Sequence, residues 1–182
     1  EAPGDLATAG IWELAEPIAT YNDDGYLVQP GEDNTEEGSY CFITGNGYEE
    51  GNGGFDDVDG GKTTLTSPLF NFSDYNEIVV TYWRWYTNNL GNNPGSDVWN
   101  VQISSNPGNW IDLEYTTASL NEWHEKRFVL SEYIELTNSV QFRFIASDVF
   151  NDGDNGSGGS LVEAALDDFK LEIIGYDYII CL

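Results

Sequence analysis

The feature that most narrows the fold is the period of the apolar residues, which is two along most of the chain. Val140, Phe142, Phe144 and Ala146 fall on one side of an extended chain, with Gln141 and Arg143 on the other. Ile78, Val80 and Tyr82 alternate with Val79, Thr81 and Trp83, so that run is apolar on both faces. Such a run belongs to a central strand covered from both sides. Further strand-like runs occupy 38–44, 62–70, 97–104, 110–116, 122–130 and 160–174. Between them lie turn-rich segments: GNGYEEGNGG, NNLGNNPGS, SSNPGNW and NDGDNGSGG. The only helix candidate is a short piece at 131–136. The pattern predicts an all-β chain folded as an antiparallel two-sheet β-sandwich of jelly-roll type. With 182 residues, no internal repeat and no linker, one domain over 1–182 is expected.

Charge excludes several partners. Six basic residues face 32 acidic ones, a formal net charge of −26. Nucleic acid and anionic membrane surfaces are poor partners for that field, whereas divalent cations or a salty medium suit it. A solubilising acidic surface accounts for most of the acids. No apolar run reaches the roughly 18 residues that a membrane-spanning helix needs. A chain that starts at Glu1 and has no methionine is expected to be a processed piece of a secreted, extracellular protein. Cys41 and Cys181 can close a loop over most of the chain, worth about 5 kcal/mol by chain entropy. Two separate buried thiols are the alternative, and the sequence leaves both open.

One stretch concentrates acid at the lip of a strand. In FDDVDGGKTTLTSPLF, Asp56, Asp57 and Asp59 crowd against Gly60 and Gly61, and a strand-like run follows. Close carboxylates repel unless something offsets the repulsion. Calcium takes six to eight oxygens, which carboxylates and the carbonyls of a glycine-turned loop supply. In the last long strand, period-two geometry puts Ala165, Asp167, Phe169 and Leu171 on one face. An aspartate there would be partly buried, and a buried lone carboxylate costs several kcal/mol unless paired or metal-bound. A solvated turn plus an aspartate held by backbone amides is the plainer alternative.

TAGIW, PGEDNTEEGSYCFITGN, DVDGGKTTLTSP, YWRWY, WNVQISSNPGNW and SLVEAALDDFKL occur in that order. In this arrangement the chain resembles the MAM-like jelly-roll modules of secreted bacterial proteins, often appended to extracellular peptidases. The resemblance implies a non-catalytic, lectin-like sandwich with one structural Ca2+ near a sheet edge. It carries the metal-ligand role onto Asp33 in EDNT, Asp57 and Asp59 in DVDGG, and Asp167 in ALDDF. There is one departure. The family begins with a strand bearing a Phe-Glu pair and a Gly-Trp pair, and neither pair precedes Gly10 here.

Other motifs carry less. NDGDNGSGGSLVE places Asp152, Asp154 and Glu163 at a spacing like that of an EF-hand, but Ser157 stands where its glycine is required and no helices flank it. The single histidine, His124 in WHEKRF, has Phe128 where a zincin needs a second histidine, and no G-x-S-x-G elbow exists. An exposed strand position is expected for it. Trp83, Trp85 and Tyr86 are candidates for a sugar-stacking platform, with core packing as the alternative.

These observations point to a non-catalytic extracellular module, calcium-stabilised, for adhesion or for binding a glycan or protein. The alternative is a structural subunit of a filament or tube, its partner other copies of itself added strand to strand. Two features motivate that alternative: the missing first strand, and the apolar extension at 175–182.

Overall fold

The computed structural model describes residues 2–47, 52–148 and 160–174, and the backbone of 178–181. In chain order the strands are β1 (Trp12–Ala15), β2 (Thr20–Tyr21), β3 (Leu27–Gln29), β4 (Cys41–Thr44), β5 (Lys62–Thr66) and β6 (Ile78–Gly91). They continue with β7 (Val98–Ser104), β8 (Ile111–Thr116), β9 (Leu120–Val129), β10 (Gln141–Ser147), β11 (Ser160–Ile173) and β12 (Tyr178–Cys181). A six-stranded sheet runs β1-β4-β11-β6-β9, with β12 also on β11. A four-stranded sheet runs β5-β10-β7-β8, and β2 and β3 form a ribbon. Every pairing is antiparallel. The fold is the expected antiparallel two-sheet sandwich.

The alternating residues fill the space between the sheets. Val80, Tyr82 and Tyr86 of β6 meet Trp99, Val101 and Ile103 of β7 and Phe142 and Phe144 of β10. Tyr82 packs edge-on to Phe144 with ring centroids 5.3 Å apart, and Phe142 does the same to Phe169. Each such side chain contributes about 1.5–3 kcal/mol by leaving water. The predicted helix shortens to a 3-10 turn, Leu130–Glu132, whose Leu130 is fully buried.

Three short strands escaped the sequence pattern. β1, β2 and β3 have two to four residues each, too few to show a period. The β3 segment covers the outer face of the six-stranded sheet. There Cys41, Ile43, Trp85 and Ala165 form a second small core with Leu27 and Trp123 against it. β6 is apolar on both faces because each face is covered.

The alternation also fails once inside β11. Its register against β6 slips between Asp167 and Lys170, and Asp168 takes φ +50°, the only positive φ outside glycine among the described residues. This bulge reverses the faces. Ala165 packs on the outer side, while Phe169 and Leu171 belong to the inter-sheet core. Asp167 therefore does not share a face with Phe169 and Leu171, contrary to the unbroken period.

β6 occupies one edge of β11 over its full length, so β4 and β12 lie end to end along the other. The backbone of 178–181 is thus paired within its own chain. Residues 175–177 and 182 of the apolar extension lie outside the described residues.

Candidate functional site

The acidic loop is fixed by the sequence around it. Val58 N–H donates to Val162 O at 2.9 Å, Thr8 N–H to Asp59 O at 2.8 Å, and Ala9 forms a bridge with Asp59. Two glycines admit the loop at close range. Gly10 (φ +64°) and Gly45 (φ +52°) leave no room for a Cβ, which would run into the backbone of Val58 or Asp56. The glycines of TAGIW and FITGN are therefore there to seat DVDGG. Val58, fully buried, anchors the loop in the core, so its neighbour Asp57 is drawn inside with only 3% of its surface exposed.

Asp57 lies in a field of carboxylates. Burial pushes its pKa up to about 8, Asp59 and Asp148 add to the rise, and the Val162 backbone N–H offsets part of it. Burial likewise pushes Glu163 well above the usual carboxylate range, and the nearby Asp57 adds to that, while a hydrogen bond from the Thr44 hydroxyl (2.9 Å) opposes it. Asp59 is raised by burial. No cation compensates. Lys62 pairs with Asp5, Arg84 and Lys126 pair with Glu114, and Lys170 pairs with Asp168. Arg143 lies over Trp110, and Arg127 is exposed on β9. Those six are all the lysines and arginines in the chain. Outside Asp57 and Asp59 opens a polar cavity of about 460 Å³, lined also by Asn22, Asp23, Asp24 and Asn52.

Asp33 and Asp167 sit elsewhere. Asp167 Oδ2 accepts the Asn34 N–H at 2.9 Å and Oδ1 accepts the Asp168 N–H at 2.7 Å. Burial raises the pKa of Asp33, and the charges of Asp167 and Asp168 add to it. Asp168 moves the other way. Burial would raise it, but hydrogen bonds from Asn34 and Thr35 and the charge of Lys170 outweigh that and hold it low. The four expected metal ligands thus fall into two clusters: Asp57 and Asp59 beside Val162 of β11, and Asp33 and Asp167 five residues along at the bulge. Glu163 and Asp148 belong to the first cluster and Asp168 to the second. The sequence flagged Glu163 only as the end of an EF-hand-like spacing; Asp152 and Asp154 of that motif lie outside the described residues.

The donor set suits calcium in kind. Asp57, Asp59 and Glu163 supply hard oxygens, and no basic side chain competes for them. Among the described residues no group of three or more acidic, histidine or cysteine side chains is arranged to hold a metal as it stands. Carbonyls, amides and water would have to complete the shell.

The remaining candidates are placed as follows. Trp85 and Tyr86 are buried, on opposite faces of β6. Trp85 Nε1–H donates to Val28 O at 2.8 Å beneath the β3 cover. Neither ring is open to a sugar, and only Trp83 keeps partial exposure. Here core packing prevails because β6 is covered twice. His124 is exposed on β9, as expected. Cys41 is a buried free thiol whose pKa burial pushes up to about 12. The side chain of Cys181 lies outside the described residues.

No protein-family model matches the sequence, and no curated protein sequence matches it. Solved structures similar to it include "TmCBM61 in complex with beta-1,4-galactotriose", at TM-score 0.44 and 13% identity, covering 92% of this chain and 85% of that one. A "Family 16 Carbohydrate Binding Module-2" is similar at TM-score 0.42 and 13% identity, covering 84% and 89%. A "Xylan-Binding Domain from CBM 22" gives TM-score 0.41 and 9% identity, covering 97% and 100%. What those proteins bind is a property of those proteins. No helix among the described residues is long and apolar enough to cross a membrane.

Proposed function

We propose that the chain is a non-catalytic extracellular module of MAM-like type, stabilised by calcium at the Asp57 cluster, that binds a glycan or another protein. The observation that carries the calcium part is the burial of Asp57 and Glu163 among other acids, with every basic side chain of the chain placed elsewhere. Burying a carboxylate without a partner costs several kcal/mol, so either a proton or a cation has to sit there. Calcium reaches the cluster through the cavity bounded by Asp59, Asp23 and Asp24. The non-catalytic part is supported by the exposed strand position of His124, the single histidine of the chain. Thermal unfolding with and without calcium tests the reading. Binding to the native state alone raises stability by about 2.7 kcal/mol at a hundred times the dissociation constant. An unchanged melting temperature in millimolar calcium would refute it.

A second reading, a filament subunit, has one observation behind it. At the open side of the sandwich, Leu14, Tyr40 and Phe42 face Leu65 and Pro68 across an apolar groove of about 400 Å³, floored by Phe144, Leu166 and Phe169. A strand from another copy would cover it. The pairing of β12 with its own β11 counts against the tail as that strand. Electron microscopy of the purified chain with calcium separates the two: filaments favour the second reading and dispersed particles the first.

A further inference from the structure

We infer that the outer face of the four-stranded sheet is the ligand site, and that it takes a neutral oligosaccharide laid across the strands. This deepens the reading of the chain as a binding module and rests on it.

Residues facing away from the core line up across that sheet. Register places Thr66, Arg143, Gln102 and Asp112 in one cross-strand row over β5, β10, β7 and β8. In the adjacent row, Thr64, Ile145, Asn100 and Tyr115, the first three are buried, Thr64 bonded to Asp5, and only Tyr115 is open to a ligand. Three strand spacings make each row about 14 Å long. The first row is already ordered. Arg143 Nε–H donates to Gln102 Oε1 at 2.6 Å, and Gln102 Nε2–H donates to Asp112 Oδ1, also at 2.6 Å. Asn100 Nδ2–H reaches the same oxygen at 2.9 Å. The guanidinium lies 4.2 Å over the Trp110 ring, which holds its plane.

These contacts use only Nε of Arg143 and only Oδ1 of Asp112. Asn100 Oδ1 has no partner among the described residues, although Asn100 is only 8% exposed. Beside it Tyr115 is 66% exposed, an aromatic ring with one side available for stacking.

The chemistry matches a polyol. Vicinal hydroxyls both donate and accept, so they need the mixed set that guanidinium, amide and carboxylate supply. The C–H face of a sugar ring needs a flat apolar surface, which Tyr115 provides. Because the row is fixed by its own hydrogen bonds, little side-chain entropy is lost on binding. The charges of Arg143 and Lys62 balance those of Asp112 and Asp5, and the −26 field of the chain repels polyanions, so the sugar is neutral. An apolar protein partner would find too little apolar surface here.

Affinity electrophoresis of the whole chain in gels containing arabinoxylan, galactan, glucomannan, hydroxyethylcellulose or polygalacturonate tests the inference. At least one neutral polymer should retard the parent. Tyr115→Ala and Gln102→Ala should weaken that retardation at least tenfold with melting temperatures within a few degrees of the parent. Trp83→Ala, on the other sheet, should leave it intact. If the parent is retarded and the Tyr115 and Gln102 variants bind equally well, the site is misplaced while glycan binding stands. If no polymer retards the parent, the glycan reading itself falls. Retardation by polygalacturonate alone overturns the neutral class.

Discussion

At the bulge of β11, Asp168 accepts hydrogen bonds from the Asn34 and Thr35 side chains and pairs with Lys170, while Asp167 accepts two backbone N–H groups. Toward the start of β11, Asp57 and Glu163 share a carboxylate field relieved in part by the backbone N–H groups of Val162 and Asp57 and by the Thr44 hydroxyl. Both clusters contain crowded acids joined to one strand. In the first, neutral donors and one lysine answer part of the charge, and Asp168 is held low. In the second, burial dominates and Asp57 is driven to about 8. The same residue type therefore marks a polar clasp met by its own donors in one place and buried carboxylates that need a proton or a cation in the other. Acid count alone does not separate them; the donors around the acids do.

The largest expected consequence is a pH dependence. Asp57 has a higher pKa folded than unfolded, so between about pH 4 and 8 the folded chain keeps a proton that the unfolded chain has lost. Calcium-free stability should fall as pH rises through that window, by up to about 1.4 kcal/mol per unit. Saturating calcium should flatten the slope, since it replaces the proton. Asp168 is shifted the other way, so its contribution is present at neutral pH and is lost only on acidification below the ordinary aspartate range. Denaturation in chelator at pH 5, 6, 7 and 8 measures this, and a calcium-free stability that climbs from 5 to 8 breaks the comparison.

Next in size is Asp57→Asn. It removes the buried carboxylate proposed as a calcium ligand, so the expected calcium increment of about 2.7 kcal/mol should disappear. Asp167→Asn should keep most of that increment. If the Asp167 variant loses it and the Asp57 variant keeps it, the roles of the clusters are reversed.

Asn34→Ala sharpens the other side. It deletes the Nδ2–H bond to Asp168 at 2.8 Å and should cost about 1–2 kcal/mol, equally with and without calcium. A loss seen only without calcium would mean that the clasp depends on metal as well. The smallest effect is expected from Lys170→Ala, whose ion pair at 3.4 Å has its lysine half in water. A change of roughly 0.2–0.5 kcal/mol is typical for such pairs and should fade in high salt.

Much of this was legible in advance. Period-two alternation is a local property, and it marked the eight strands from β4 to β11. The crowding of acids in DVDGG was legible as well. The bulge at Asp168 was not, because one residue of positive φ leaves no trace in the hydrophobic pattern while exchanging every later face. The burial of Trp85 was hidden for a related reason: β3, which covers it, is three residues long and far away in sequence.

The sequence by itself determined the class of fold and the kind of chemistry. Alternation, glycine-rich turns and an excess of acids over bases can lead only to extended strands with an acidic exterior, since each is a property of neighbouring residues. Tertiary structure decided which acids are alone. That depends on where six basic side chains, a few amides and two backbone N–H groups end up, and on Gly10 and Gly45 letting one loop sink far enough to bury Asp57. Desolvation and pairing are set by distances across the fold, between residues the chain separates by a hundred positions or more.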